Sequence, residues 1–191
     1  MKIEDYEKLL WKKYKQSNDP EIEERYRHSL GVAKKALELI ERFKLNVDPE
    51  KAAIAGILHD YAKFEKPERY REVVHKYNLD PQILDKSPKI LHALLGPYII
   101  KEEVGVEDEE ILKAVQTHTT GSLDMSELAE VIFLADYTDE TREGPYFDEV
   151  KRLSQIDFYQ AIRQKLKQRL AKHHDEKTQK IYQKYLEVKC K

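Results

Sequence analysis

Residues 55–63 read Ala-Gly-Ile-Leu-His-Asp-Tyr-Ala-Lys. They end an Ala-rich, almost uncharged run that residues 48–50 (Asp-Pro-Glu) open with a capping carboxylate, a proline at the first helical position and an acid in the first turn. The pattern predicts a buried helix from 48 to about 62, with His59 and Asp60 at its C-terminal end. A buried imidazole and carboxylate are costly unless something compensates them, and a divalent metal ion is the usual compensation.

Helical patterns extend over the rest of the chain. Glycine (6) and proline (7) are scarce among the 191 residues, and apolar positions recur with a period of 3.6. The remaining predicted helices cover 2–16, 21–44, 67–85 (two short helices), 88–103, 108–118, 126–137 and 146–191 (two or three helices). The sequence therefore predicts an all-α fold, a single-domain helical bundle over 1–191 with its core at about 20–170 and a C-terminal helical extension at 171–191.

Composition narrows the class of protein. Charged residues make up 37% of the chain, yet the net charge is only -2, which does not describe a protein that binds a nucleic acid polymer. The single cysteine, Cys190, cannot form an internal disulfide, so we expect a reducing, cytoplasmic setting. The charged N-terminus lacks the apolar core of a signal peptide, and no apolar run approaches the roughly 20 residues that cross a bilayer. We expect no membrane association.

Four more candidate metal ligands stand in or beside apolar helical stretches: His28, His92, His118 and Asp136. With His59 and Asp60 they make six, which is enough for two ions in the core of a bundle if Asp60 turns one oxygen toward each ion. Imidazoles and carboxylates suit iron, manganese and zinc. No cysteine lies near the site, which argues against a thiolate zinc site or an iron–sulfur cluster.

This ligand set points to phosphoryl chemistry. A hydroxide that bridges two ions is a strong nucleophile at neutral pH, and both ions can clamp a phosphoryl group. Lys63 and Arg142 fit as phosphate contacts, because phosphoryl transfer mainly needs positioning and charge neutralisation.

Each candidate residue also has an ordinary structural explanation. His92 and His118 each fit a satisfied core position, and Asp136 fits a helix cap. Lys63 fits a cation at a helix C-terminus, and Arg142 a surface ion pair. Thr119 and Thr120 fit a helix exit. Four tyrosines are candidates for stacking on a base, although packing in the core or at its rim accounts for each: Tyr61, Tyr98, Tyr137 and Tyr146.

The order His…His-Asp…His…His…Asp resembles the HD-domain metal-dependent phosphohydrolases. Five longer strings resemble one branch of that family, the YqeK-like bacterial enzymes, which are symmetrical bis(5'-nucleosyl)-tetraphosphatases that split diadenosine tetraphosphate into two ADP. These strings are RHSLGVA (27–33), AGILHDYAK (55–63), HALLG (92–96), HTTG (118–121) and FLADY (133–137). The similarity runs from about 20 to about 170.

The resemblance implies roles for individual residues. His28, His59, Asp60 and Asp136 would hold one metal ion, and Asp60, His92 and His118 the other, with iron expected for the pair. Asp60 and Lys63 would act in catalysis, and the contacts to substrate would come from Lys63, Thr119, Thr120 and Arg142. Many relatives read Ile-Glu-Pro-Gly-Arg where this chain reads Thr-Asp-Glu-Thr-Arg (138–142), so Arg142 keeps the register without the Pro-Gly.

Several alternatives stay open at the level of sequence. The substrate is expected to be a small nucleotide with an ADP- or GDP-type product, but the chain also fits an HD-type phosphohydrolase of another nucleotide, a di-iron oxygenase or a nucleotide-binding regulator. Manganese, magnesium or zinc in place of iron stays open, as do the preferred base and a homodimer formed through the amphipathic C-terminal helices.

Overall fold

The computed structural model of the protein describes residues 1–188; Cys190 and the prediction attached to it lie outside this range. Within it, the chain forms ten α-helices and one short 3-10 helix (Pro81–Asp85), without a strand. The α-helices are α1 (Ile3–Tyr14), α2 (Ile22–Phe43), α3 (Pro49–Leu58), α4 (Pro67–Lys76), α5 (Pro88–Glu103), α6 (Glu109–Thr117), α7 (Glu127–Thr138), α8 (Pro145–Leu153), α9 (Phe158–His173) and α10 (Glu176–Glu187). The predicted all-α fold is confirmed.

Helix α3 lies at the centre of the bundle, as its uncharged sequence predicts. It packs against α1, α2, α6 and α7, and every residue from Ala52 to Leu58 is buried. Its N-terminus has the predicted cap, because the Asp48 carboxylate accepts a hydrogen bond of 2.8 Å from the backbone N–H of Glu50. Gly56 permits the closest approach to α2, since a Cβ there would lie 2.6 Å from the Cα of Ala33.

Helix α3 ends at Leu58, four residues before the predicted end. In a continued helix, the carbonyl of Gly56 would accept the backbone N–H of Asp60. The His59 imidazole bonds that carbonyl instead, at 2.7 Å, and the Tyr14 hydroxyl donates to the carbonyl of Asp60 at 3.0 Å. His59 and Asp60 therefore lie in a tight turn that follows the helix.

From residue 67 onward, the helices lie in the predicted segments, but several of their first and last residues differ from the predicted ones. Segment 67–85 forms one α-helix and the short 3-10 helix, and 146–191 forms three helices in its described part. Helix α9 packs against α7, α8 and α10, so the C-terminal region is part of the same packed body. No helix within 1–188 has the length and apolar character needed to cross a membrane.

Candidate metal centre and its cavity

The six predicted ligands converge at one place in the bundle. His28 comes from α2, His92 from α5 and Asp136 from α7, and these helices surround the turn that follows α3. His59 and Asp60 lie in that turn, and His118 directly follows α6. Five of the six are buried, and the Asp136 side chain is 14% exposed. The helices bring together residues that are up to 108 positions apart in the chain.

The ligand atoms form two groups that share one carboxylate. His28, His59 and Asp60 each offer an atom within 4.8 Å of the others, and Asp60, His92 and His118 do the same. Asp136 extends the first group, because its Oδ1 lies 3.1 Å from His28 Nε2 and 3.7 Å from His59 Nε2. The geometry thus gives Asp60 a place in both groups.

Backbone carbonyls orient three of the imidazoles. His59 Nδ1 lies 2.7 Å from the carbonyl of Gly56, His118 Nδ1 lies 2.7 Å from that of Val115, and His92 Nδ1 lies 3.2 Å from that of Pro88. A carbonyl only accepts, so each Nδ1 is the donor, and each Nε2 presents a lone pair to the centre. This is the arrangement that metal-binding histidines ordinarily have.

The lone pairs at the centre fit a bound cation. Among the described residues, His59 Nε2 and Asp60 Oδ1 are buried without a hydrogen-bond partner. His92 Nε2 lies 3.2 Å from His118 Nε2 and 2.8 Å from Asp60 Oδ1. Lone pairs and a carboxylate so close together repel each other unless positive charge lies between them. The residues present therefore fit divalent metal ions.

The protonation states also suit metal binding. Burial alone would raise the pKa of the Asp60 carboxyl, but His59, Lys63 and His92 around it hold this pKa well below its usual value. Burial lowers the pKa of His118 to about 4. At neutral pH the Asp60 side chain is therefore an anion and the His118 side chain a neutral imidazole, which are the forms that coordinate metals.

The candidate centre has two halves. We call one the Asp60 half; it comprises His59, Asp60, His92 and His118. The other is the Asp136 half, which comprises His28, Asp136, Asp139 and Arg142, and in which side chains rather than backbone carbonyls orient the imidazole of His28. His28 Nδ1 lies 3.1 Å from Asp139 Oδ2 and 3.2 Å from the Thr141 hydroxyl. Arg142 Nη2 lies 2.8 Å from Asp136 Oδ1 and 3.2 Å from His28 Nε2.

Charge in the Asp136 half shifts the pKa of His28 in the opposite direction to that of His118. Burial alone would lower the pKa of His28, but the carboxylates of Asp136 and Asp139 outweigh burial and raise it. Burial would likewise raise the pKa of Asp136, and Arg142 and His28 hold it well below its usual value. The two halves therefore differ in the imidazole charge they favour.

A cavity of about 520 Å³ opens above both halves. Seven basic residues line it, against three acidic ones: Arg25, Lys63, Lys89, Arg142, Lys165, Arg169 and Lys172, with Glu21, Asp60 and Asp136. Lys63, Thr119 and Arg142, which the sequence predicted as substrate contacts, also line this cavity. Thr120 does not line the cavity; its hydroxyl donates to the carbonyl of Gly121 at 3.3 Å and accepts from Lys177 at 3.3 Å.

Four residues at the site were not singled out from the sequence. Tyr14 bonds the Asp60 carbonyl, Arg25 Nη1 lies 3.6 Å from Asp60 Oδ2, Asp139 contacts His28, and Lys165 Nζ lies 3.9 Å from Asp136 Oδ2. Burial lowers the pKa of Lys165 to about 7. Two of these residues could have been found from the sequence, because Lys165 occupies an apolar register of α9 and Arg25 lies one turn before His28. No sequence pattern pointed to Tyr14 as a site residue.

The HD domain family matches residues 25–141 of the chain, a range that contains all six candidate ligands and Arg25. The chain belongs to the HD domain family. Helix α9, with the cavity residues Lys165, Arg169 and Lys172, follows the part of this HD protein that the family match covers.

Curated relatives narrow the family further. The chain is 42% identical over 145 residues to the symmetrical bis(5'-nucleosyl)-tetraphosphatase of Bacillus subtilis. The aligned residues cover 76% of this chain and 77% of the relative. It is 39% identical over 140 residues to the protein of the same name from Halalkalibacterium halodurans, covering 73% of this chain and 74% of that one. The branch of the HD family that the sequence resembles is therefore confirmed.

A solved structure has the same fold over nearly the whole chain. The crystal structure of a predicted HD superfamily hydrolase involved in NAD metabolism, from Clostridium acetobutylicum, superposes with a TM-score of 0.79 at 28% identity. The superposition covers 94% of this chain and 96% of that protein. The shared fold thus extends beyond the family match into the flanking helices.

Proposed function

We propose that this HD protein hydrolyses dinucleoside 5',5'-tetraphosphates symmetrically, with diadenosine tetraphosphate and water giving two ADP. The observation that carries the proposal is the position of Asp60, which belongs to both groups of buried candidate ligands and faces a cavity lined by seven basic residues. The relatives named for this activity cover three quarters of the chain at about 40% identity, and their named reaction agrees with that site.

Two divalent ions bound by these ligands would activate water and neutralise phosphoryl charge. His28, His59, Asp60 and Asp136 are proposed to hold one, and Asp60, His92 and His118 the other. Iron is proposed for the pair, while manganese, magnesium and zinc accept the same nitrogen and oxygen donors. Metal analysis after anaerobic purification distinguishes them.

The chain's own side chains position the substrate. Lys63 Nζ lies 3.6 Å from Asp60 Oδ1, and Arg142 Nη2 lies 2.8 Å from Asp136 Oδ1, so each ligand carboxylate has a cation beside it at the cavity. Both cations are proposed to contact phosphoryl oxygens, and Lys63 to stabilise the leaving phosphate. Thr119 is proposed as a further phosphate contact, because it lines the cavity, whereas Thr120 does not.

The cations also separate this proposal from the alternatives. Activation of oxygen needs no basic cavity, whereas a tetraphosphate carries several negative charges that one must neutralise. A binding-only regulator tolerates loss of ligands, and all six are present here. Self-association through α9 and α10, a cytoplasmic location and a single domain over 1–191 stay predictions; sedimentation of the purified protein tests the first.

Product analysis tests the proposed reaction. Purified protein loaded anaerobically with Fe²⁺, Mn²⁺, Mg²⁺ or Zn²⁺ is incubated with diadenosine tetraphosphate in ¹⁸O-labelled water. We expect ADP alone, with one ¹⁸O atom on the terminal phosphate of one ADP in every two. AMP plus ATP, or no turnover with any of the ions, would contradict the proposal. His59→Ala is the control, and circular dichroism verifies its helix content.

A further inference from the structure

The cavity above the metal centre has two unlike arms. The Asp60 arm contains Arg25 and Lys63, whose cationic nitrogens each lie 3.6 Å from the Asp60 carboxylate. The Asp136 arm contains Arg142 and Lys165 beside Asp136, and continues along α9. His59 lies between the arms, with Nε2 3.6 Å from Asp60 Oδ2 and 3.7 Å from Asp136 Oδ1. A symmetrical cut leaves a diphosphate on each side of this midpoint. Arg25 and Lys63 lie on one side to receive one diphosphate, and basic side chains of the Asp136 arm and of α9 lie on the other.

The Tyr and Phe side chains that line the cavity belong to one arm. Among the described residues, this aromatic cluster comprises Tyr137, Tyr146 and Phe147, which all lie in the segment that follows Asp136. The rings pack together, with centroids of Tyr137 and Phe147 at 4.9 Å, Tyr146 and Phe147 at 5.3 Å, and Tyr137 and Tyr146 at 5.6 Å. The Tyr137 hydroxyl donates a hydrogen bond of 2.6 Å to Gln168 Oε1, which fixes the aromatic cluster against α9.

Tyr146 is the exposed member of this aromatic cluster. It is 44% exposed, while Tyr137 and Phe147 behind it are half-buried. Lys172 Nζ lies 5.9 Å from the Tyr146 ring centroid, and Arg169 lines the cavity one turn earlier on α9. An exposed ring that packs against two other rings, with Lys172 over it and Arg169 nearby, is suited to a planar base that carries a phosphate chain.

We propose that Tyr146, backed by Tyr137 and Phe147, stacks on the base of one nucleoside of the substrate, while Arg169 and Lys172 contact the diphosphate of that nucleoside. This subsite rests on the proposed function, because it takes one half of the dinucleoside tetraphosphate. The second nucleoside lies beyond the Asp60 arm, where the cavity offers cations to its phosphates and no ring of this kind from the described residues to its base.

A substrate with a single nucleoside follows from this asymmetry. Adenosine 5'-tetraphosphate has one base for Tyr146 and two terminal phosphates for Arg25 and Lys63. Water adds across the bond between its second and third phosphates. ADP and inorganic diphosphate result; one product takes the water oxygen, the other keeps the bridging oxygen, and the protons pass to solvent. We expect cleavage with a kcat/KM within about tenfold of that for diadenosine tetraphosphate.

Ligand binding tests the subsite without relying on turnover. Calorimetry with the metal-loaded protein measures the Kd for ADP and for inorganic diphosphate in the wild type, in Tyr146→Ala and in Tyr146→Phe. We expect Tyr146→Ala to weaken ADP binding about 5- to 150-fold, the range for loss of one base stack, and to change diphosphate binding less than twofold. Tyr146→Phe keeps the ring and is expected to bind both within twofold of the wild type.

Other outcomes have distinct meanings. Unchanged ADP binding in Tyr146→Ala, or equal weakening of ADP and diphosphate, would overturn the stacking assignment while leaving symmetrical hydrolysis intact. A wild type that splits diadenosine tetraphosphate but not adenosine 5'-tetraphosphate would overturn the asymmetry of the arms. If the wild type cleaves neither tetraphosphate, but Tyr146→Ala binds ADP more weakly than the wild type does, the result would support the subsite and refute the proposed reaction.

Discussion

The Asp60 half and the Asp136 half of the candidate metal centre orient their imidazoles by different means. In the Asp60 half, carbonyls of Gly56, Pro88 and Val115 fix three rings, and these carbonyls belong to helices whose positions the core determines. In the Asp136 half, Asp139 and the Thr141 hydroxyl fix the ring of His28. Backbone atoms cannot be substituted, whereas side chains can, so the second half is open to single mutations that leave its ligands in place.

Asp60→Asn should have the largest effect, because it removes the charge that both groups of ligands share. We expect loss of both ions and a fall in turnover of at least about 10³-fold, since metal ions contribute several kcal/mol to phosphoryl transfer. Elemental analysis and product assays measure the two effects. His92→Ala is the matched comparison, and should lose mainly one ion. Retention of two ions by Asp60→Asn would show that the two groups of ligands do not depend on this shared carboxylate.

Acid titration should separate the halves in the metal-free protein. The pKa of His118 is about 4, against 6.5 ordinarily. Because its folded-state pKa is depressed, His118 stabilises the fold fully above pH 6.5, and loses about 3 kcal/mol of that contribution as the pH falls to about 4. The raised pKa of His28 acts oppositely: its contribution is complete below pH 6.5 and is lost as the pH rises through the folded-state pKa.

Imidazole NMR signals in metal-free protein report both titrations. His28 should titrate above pH 6.5 and His118 near pH 4. The reverse order, or a common pKa near 6.5 for both, would remove the electrostatic difference between the halves.

Asp139→Asn tests the side-chain support of His28 directly. We expect metal affinity of the His28 group or turnover to fall about 10- to 100-fold, the usual cost of losing a carboxylate behind a metal-binding histidine. Glu140→Gln is the matched control, because Glu140 is the adjacent carboxylate and its side chain is 70% exposed in an ion pair with Lys34. Equal behaviour of the two variants in metal titration would assign Asp139 no role in orienting His28.

Gly56→Ala tests the backbone support of the Asp60 half. The new Cβ would meet the backbone of Ala33 at 2.6 and 2.8 Å, so α3 must move away from α2, and we expect the free energy of unfolding to fall by about 1–3 kcal/mol. Gly96→Ala in α5 is the control, since its Cβ would meet side chains at 3.6 Å or more. Urea unfolding measures both. Equal stabilities would mean that α2 and α3 tolerate separation.

Much of the fold was predictable because its signals are local. The 3.6-residue period, the Asp48 cap and the proline starts of α3 and α5 depend on neighbours along the chain, and the helix positions follow from them. The end of α3 was wrong by four residues, because that end is set by His59 bonding Gly56 and by Tyr14 bonding Asp60, a residue 46 positions away.

The candidate site divides in the same way. Its six ligands could be proposed from the sequence because they are rare residue types in apolar helical contexts, and because they match the strings of the HD family. Asp139 could not be assigned from the sequence, and Lys165 was missed although it occupies an apolar register of α9. Asp139 stands in a charged stretch that reads as surface, and only the packing of α2 against α7 buries it behind His28.

The sequence by itself determined the helical class, the order of the helices and the chemical types of the candidate ligands, since each depends on residue type and on spacing within one or two turns. Only the tertiary structure decided that Asp60 faces both groups of ligands, that His28 is supported by side chains, and that the aromatic cluster occupies one arm of the cavity. Those features depend on distances between helices, which follow from how the apolar faces of the whole chain pack together.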